Sequence, residues 1–515
     1  MKKKLLFSAI SLIISTSVFA TELDSLKPNQ RHKNAYNYRV ARAKANLKTP
    51  PAAHPTNKDE ATIPNYQGQF HKTLPHDANG VVDSNAYIAL EKAIKSGVFS
   101  DFEAIPLGGT VKITNPLAAK VFDLEGKDSH DYGIKVAPSL ASAEAAAEMV
   151  EVYYKALYRD VPFSEFTTRT EFGNSAAELA NLNDFTGPKT QSTIFRGNWK
   201  GDLIGPFISQ FLYKPIPFGP ITINQMYQPY TVGVDFMTTN SEWLAIQNGH
   251  KPSGTLTKSN TPRYIITGRD LATFVHLDFS FQAYQNAALI LLSMGKNYWD
   301  DGNPYKTSVR QDAFSDLGGP EVLDMVSRAG NSALRASWFQ KWNVHRRLRP
   351  EAYAELVENN PTLLDSQIIS SKALQLIKSK NSNSALLPMT YPEGSPAHPS
   401  YPAGHAAIAG ACVTVLKAFF KEDMVIPNPV MPAVDGLTLQ SYTDGSLTVG
   451  DELDKLASNV SLGRDWAGVH YRSDGTQGML LGEEVAISML QDWKNTHPQS
   501  PKLTLKKFDG SVITI

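Results

Sequence analysis

The chain has 515 residues, of which 42% are hydrophobic and 19% charged, with 50 basic and 50 acidic side chains. That balance describes a globular protein with a sizeable core, excludes global disorder, and leaves no basic excess for nucleic acid. The single cysteine, Cys412, excludes an internal disulfide framework, and its place in an apolar run argues for a buried, inert thiol.

Taken in order, the chain opens with Lys2, Lys3 and Lys4, an apolar run from Leu5 to Phe19, and the small residues Val18 and Ala20. This reads as a secretory signal peptide cleaved after Ala20, too short to span a membrane, and it points to a periplasmic or secreted protein. Its removal leaves 47 basic against 50 acidic side chains. Residues 21–110 read as an extended arm with short helices near 34–47 and 85–95. Residues 111–300 are expected to form a first helical bundle with long packed loops. There, 111–121 reads as extended, a strong helix follows Ser139 or Ser142, and 183–230 is an aromatic, Gly- and Pro-rich connection. The run 269–294 is apolar nearly all round and reads as one long central helix in which His276 is a satisfied core histidine.

Residues 301–515 are expected to form a second helical bundle. The turn Asp300-Asp301-Gly302-Asn303-Pro304 carries two carboxylates, so calcium is conceivable there, although a solvated turn explains it better. Helices are expected at 320–329, 332–346, 350–358, 366–379, 405–420, 452–464 and 473–493. No fixed-period repeat and no Rossmann, P-loop or zinc spacing occurs. The fold class is therefore all-α: two packed helical bundles with short peripheral strands.

Three segments of this second half carry the chemistry. In the first, Trp338, Lys341 and His345 share a helix face by spacing, and Arg349 precedes a proline that should end the helix. In the second, Ala397-His398-Pro399-Ser400-Tyr401-Pro402-Ala403-Gly404-His405, prolines hold the backbone out of a helix until Gly404 and His405 reach the mouth of the next one. The third runs from Ser461 to Asp474 and contains Arg464 and His470. Each alone reads as a loop or a solvated basic helix end. If Lys341, Arg349 and Arg464 converge about 8 Å apart, they repel by roughly 2 kcal/mol per pair at an effective dielectric near 20, and a multivalent anion would relieve this. A tetrahedral oxyanion fits, with the Gly404 amide at a helix start and two guanidinium forks as donors. His470 could attack phosphorus or coordinate a metal oxyanion, with Asp474, four residues on, holding its other ring nitrogen; His405 is placed as general acid/base.

These segments resemble the signature of vanadium-dependent haloperoxidases, which share their active site with acid phosphatases of the phosphatidic acid phosphatase type 2 superfamily. The Lys-to-Arg-Pro interval, His-Pro-Ser-Tyr-Pro-x-Gly-His and Gly-Arg-x-x-x-Gly-x-His-Tyr-Arg-x-Asp are similar to the bromoperoxidase branch. The likeness extends to Phe195-Arg196-Gly197, residues 242–249 and residues 263–292. It implies vanadate as cofactor, with His470 binding the metal, Lys341, Arg349, Gly404 and Arg464 holding its oxygens, and His405 moving protons. His398 and Trp338 would line the halide side. The implied reaction is oxidation of bromide or iodide by hydrogen peroxide to hypohalous acid, which then meets small organic nucleophiles. Partners would be a second copy or more of the chain, with no nucleic acid and no membrane. An acid phosphatase with His470 as nucleophile and a non-catalytic oxyanion binder are the alternatives. One departure stands out: Ala403 occupies the position of the family's usual serine, whose hydroxyl contributes about 1.5–3 kcal/mol to binding a charged group.

Overall fold

The computed structural model describes residues 28–515, so the expected signal peptide lies outside the described residues. The principal helices are α1 (Pro28–Lys48), α2 (Ser84–Ser96), α3 (Ala143–Tyr158), α4 (Thr170–Asn181), α5 (Gly268–Leu277), α6 (Gln282–Ser293), α7 (Gly319–Phe339), α8 (Pro350–Asn359), α9 (Gly404–Phe419), α10 (Val449–Trp466) and α11 (Arg472–Lys494). Local chemistry sets several starts. The Ser142 hydroxyl accepts from the Ala145 N–H at α3, and Thr448 does the same for Asp451 at α10. At α5, Thr267 and Asp270 cap each other reciprocally. Three two-stranded antiparallel hairpins, Ile216–Phe218 with Ile221–Ile223, Val430–Pro432 with Leu439–Ser441 and Thr504–Lys506 with Val512–Thr514, complete the fold.

Helix α9 is the centre. It packs on α7, α10 and α11, while α10 packs on α5, and of its side chains only that of His405 escapes full burial. Small residues let it approach α11 backbone to backbone. A Cβ at Gly410 would stand 2.0 Å from the Met479 carbonyl oxygen, and one at Gly482 would stand 2.1 Å from that of Ala407. The contact brings the two helix N-termini together, and the Ala403 N–H donates to the Asp474 carbonyl at 2.8 Å. The largest hydrophobic cluster runs from Tyr132 to Ile515. A smaller one joins Phe70 through Ala119 to Trp342, whose ring meets Phe70 edge-on at 5.7 Å, so the N-terminal arm is anchored beside Lys341. Among the described residues no helix is long and apolar enough to cross a membrane.

Several expectations are corrected. The first arm helix, α1, spans 21 residues, tied down by Tyr38, which donates to the Asp492 carbonyl at 2.8 Å, and by an Arg42–Asp492 ion pair. Residues 111–121 form no strand, because Pro116 opens a 3-10 turn, Pro116–Lys120. The run 269–294 is two helices, α5 and α6, broken where Asp278 turns extended. The two helices expected within 320–346 are one, α7, because Gly330 packs against Cys412 and Phe281 and does not stop it. Conversely, 366–379 divides into Ser366–Ser370 and Lys372–Lys380 at Ser371, which caps the second piece. Cys412 is buried and free, and burial raises its thiol pKa well above the ordinary value.

Candidate functional site

Helix α7 runs into a π-helical turn, Gln340–His345, which closes with the Arg346 N–H on the Lys341 carbonyl at 3.0 Å. Such wide turns gather at functional sites because they redirect side chains. Here the turn sends Lys341 inward, where its ammonium donates to the carbonyls of Pro399 (2.8 Å) and Ser400 (2.7 Å) and lies 5.8 Å from the Trp338 ring. His345 does not join them; it packs edge-on against Tyr401 at 4.9 Å. The helix ends at Arg346, in the left-handed conformation, before the proline expected to stop it. Arg349 is instead the N-cap of α8, with Pro350 at its first position.

Arg349 is the hub. Its Nε donates to the His398 carbonyl at 3.0 Å, Nη1 to the Val469 carbonyl at 2.7 Å and to His470 Nε2 at 3.0 Å, and Nη2 to His398 Nδ1 at 3.0 Å. A guanidinium only donates, so Nε2 of His470 accepts, as does Nδ1 of His398 at this, the shorter of its two contacts, the other being the Pro399 carbonyl at 3.2 Å. On the far side of its ring, His470 Nδ1–H donates to Asp474 Oδ2 at 2.8 Å. Burial, with Arg349 adding to it, pushes the His470 pKa well below the ordinary histidine value, so the ring is neutral and its Nε2 lone pair is held by the Arg349 guanidinium. Burial and Arg349 act in the same direction on His398, lowering its pKa well below the ordinary value, and its ring packs beside that of Trp338 at 4.6 Å.

Behind Asp474 stands a network that sequence reasoning missed. Arg347 donates to Asp474 Oδ1 (2.7 Å), to the Ser473 hydroxyl (2.9 Å) and to Glu148 Oε2 (2.9 Å), while the Ser400 hydroxyl donates to Asp474 Oδ2. Burial alone would raise the Asp474 pKa; Arg347, His470 and Ser400 outweigh it and hold the carboxyl well below the usual range.

The cluster differs from the rest of the interior in charge. Among the described residues, the buried cations Lys72, Lys155, Arg159, Arg269, Arg347, Lys417, Lys455 and Arg472 each pair with a carboxylate. The three buried cations that form no such pair are Lys341, Arg349 and Arg464. Arg464 donates Nη1 to the Val275 carbonyl at 2.9 Å, and its Nε is buried with no partner. Burial, then Arg349 and Arg464, drive the Lys341 pKa well below the ordinary lysine value. Unpaired buried charge is costly, and a multivalent anion relieves it. The N–H groups that open α9 at Gly404 add donors, because Ala403 supplies no capping side chain. These residues fit a vanadate ion: guanidinium, ammonium and amide donors for its oxygens, and one neutral imidazole nitrogen for the metal. Ala403 is fully buried and the loop's Ser400 hydroxyl is committed to Asp474, so no serine hydroxyl faces the oxyanion from this stretch.

His405 lies in the first turn of α9, beside Gly404, and stays about one-third exposed, with Nε2 3.4 Å from Asp278 Oδ1. The break between α5 and α6 is what delivers Asp278, a partner no periodicity announced. His276 is satisfied, by Tyr230 and Glu393 at 2.6 Å each. The calcium reading gains no support. Asp301 is held by Lys306 and Lys421, Asp300 accepts from the Gly302 N–H, and no metal-holding cluster of acidic, histidine or cysteine side chains occurs among the described residues.

Comparison with known proteins gives a consistent result. Residues 322–497 match the family model described as the VCPO second helical-bundle domain. The chain is 34% identical to a vanadium-dependent bromoperoxidase of Ascophyllum nodosum, over 96% of this chain and 94% of that one. It is also 34% identical to the vanadium-dependent bromoperoxidase of Corallina officinalis, over 88% of this chain and 91% of that one. Among solved structures, the homohexameric second vanadate-dependent bromoperoxidase of Ascophyllum nodosum superposes with a TM-score of 0.91 at 31% identity, covering 100% of this chain and 94% of that one.

Proposed function

As this chain belongs to the vanadium-dependent bromoperoxidase family and is a halide peroxidase, we propose that it oxidises bromide or iodide at the cluster of Lys341, Arg349, Arg464 and His470. The observation that carries the assignment is the set of three buried cations without a carboxylate partner, one of which, Arg349, donates to the unprotonated Nε2 of His470. Lys341, Arg349, Arg464 and the Gly404 N–H would hold vanadate, with His470 Nε2 as the protein ligand. When bound, the group supplies a Lewis acid that activates peroxide without itself changing oxidation state.

The chain's own residues do the rest. Asp474, clamped by Arg347, fixes the His470 tautomer. Conversion of hydrogen peroxide, halide and one proton to hypohalous acid and water needs a proton carrier at the peroxide. His405, backed by Asp278 and open to solvent, serves in that role. The His398 Nε2–H, beside Trp338, is the donor available to an incoming halide. Small organic nucleophiles then take up the oxidised halogen. A homo-oligomer is supported by the homohexameric relative, and export by the likeness of the sequence of residues 1–20, lysines followed by an apolar run, to a signal peptide. The test is halide-resolved peroxidase activity of the full chain with and without added vanadate. Bromide or iodide oxidation that requires vanadate and is competed by phosphate is expected. Vanadate-loaded protein that oxidises no halide but cleaves a phosphomonoester would overturn the assignment.

A further inference from the structure

Arg349 and Arg464 both face the anion site, but they are held in different ways. Arg349 is fixed through its N–H groups: every nitrogen donates to a carbonyl or an imidazole. Arg464 gives one N–H to the Val275 carbonyl, and the rest of its guanidinium makes no hydrogen bond to the described residues. What orients it is a ring. Its guanidinium carbon lies 5.6 Å from the centroid of Tyr391, a residue 1% exposed. Tyr391 in turn stacks on His276 at 3.8 Å with an interplanar angle of 11°, and its hydroxyl donates to the Ala272 carbonyl at 2.6 Å. His276 is pinned between the Tyr230 hydroxyl and Glu393, each at 2.6 Å. One end of α5 therefore supplies the carbonyl under Arg464, the carbonyl under Tyr391, the imidazole behind it and, at Asp278, the partner of His405.

We propose that Tyr391, backed by His276, is a positioning residue that sets oxyanion affinity by orienting Arg464 through the face of its ring. The physical gain is specific. A ring face restrains a planar cation without consuming N–H donors, so Arg464 keeps its free hydrogen-bonding edge for the anion. A hydrogen-bonding partner in the same place would occupy the groups the anion needs. His276 makes the restraint effective by stacking on Tyr391 and holding its ring in place, and Glu393 and Tyr230 keep His276 from rotating away.

This rests on the oxyanion-site reading given above, and the test separates the two. Inorganic phosphate and orthovanadate are titrated calorimetrically into metal-free full-length protein and into Tyr391→Phe, Tyr391→Leu and His276→Ala. Tyr391→Phe keeps the ring and should bind within about twofold of the parent. Tyr391→Leu removes it and should weaken both anions by about tenfold, the scale of a desolvated cation–π contact. His276→Ala, which leaves Tyr391 unsupported, should weaken binding several-fold and serves if the leucine variant does not fold. In the vanadate-saturated enzyme, the leucine variant should recover most of its kcat, since the loss lies in anion affinity. Parent protein that binds neither anion defeats the site reading itself. A normal parent with unchanged affinity in a folded Tyr391→Leu or His276→Ala, or equal losses in Phe and Leu, overturns only the clamp.

Discussion

Arg347 and Arg349 are two residues apart and equally buried, yet their surroundings have opposite character. Burial disfavours both charges, but Asp474 and Glu148 carry the Arg347 pKa well above the usual guanidinium value. Arg349 has no carboxylate in contact among the described residues, so burial, with Arg464 adding to it, outweighs the more distant Asp474 and the value falls to about 9. The wall behind His470 is internally neutralised and rigid: Arg347 with Glu148 and Asp474, Arg472 with Glu151, and Lys155 with Asp465. The chamber in front of it is left positive. The wall is built to fold, whereas the chamber is built to be completed by an anion, and His470 is the residue that belongs to both.

The largest expected effect comes from removing that shared residue. His470→Ala should reduce vanadate-dependent halide oxidation to the background of free vanadate while lowering the unfolding midpoint less than breaking the Arg347–Asp474 pair does, as activity assays and thermal melts would report. Breaking the wall should cost both properties. Asp474→Asn leaves Arg347 under-compensated and releases the His470 ring, so vanadate affinity should fall about 10–100-fold and stability by about 3–5 kcal/mol, read by titration and by denaturant unfolding.

Acid should weaken the fold away from the chamber. Burial lowers the pKa of His71 well below normal, of His76 to about 4 and of His345 to about 3. The unfolded chain protonates these rings near 6.5 and the folded chain does not, so stability falls as pH drops below about 6.5. The slope is at most about 1.4 kcal/mol per pH unit for each ring, until each folded value is reached. Chemical denaturation of metal-free protein at pH 7.5 and 5 checks this, and equal stability at the two would contradict it. The smallest effect sharpens the chamber. Ala403→Ser adds a hydroxyl at the start of α9 and should tighten vanadate binding about tenfold, the low end for a bond to a charged group. Unchanged affinity would remove Ala403 from the account.

The chamber was legible in the sequence because its members sit in three short motifs whose spacing survives folding. Arg349 meets His398 and His470, and Lys341 meets the carbonyls of Pro399 and Ser400. The wall was not. Glu148 reaches Arg347 from a helix 199 positions away in the chain, and Arg347 itself reads as one more member of a basic helix end. Asp278 was hidden within a run whose periodicity continues through the break, because no Gly or Pro marks the place where the backbone turns extended. The π turn was equally silent, and it separates His345 from the Trp338 and Lys341 face that regular helical spacing assigned it.

The most direct test of the central claim, that three unpaired buried cations and a neutral His470 hold one oxyanion, is a calorimetric titration of metal-free full-length protein with orthovanadate, repeated with saturating phosphate and followed by a thermal melt. The account predicts one ion bound per chain, competition by phosphate, and a rise in unfolding midpoint that grows with vanadate concentration. Absence of binding, or binding that phosphate does not compete and that leaves the midpoint unmoved, would contradict it.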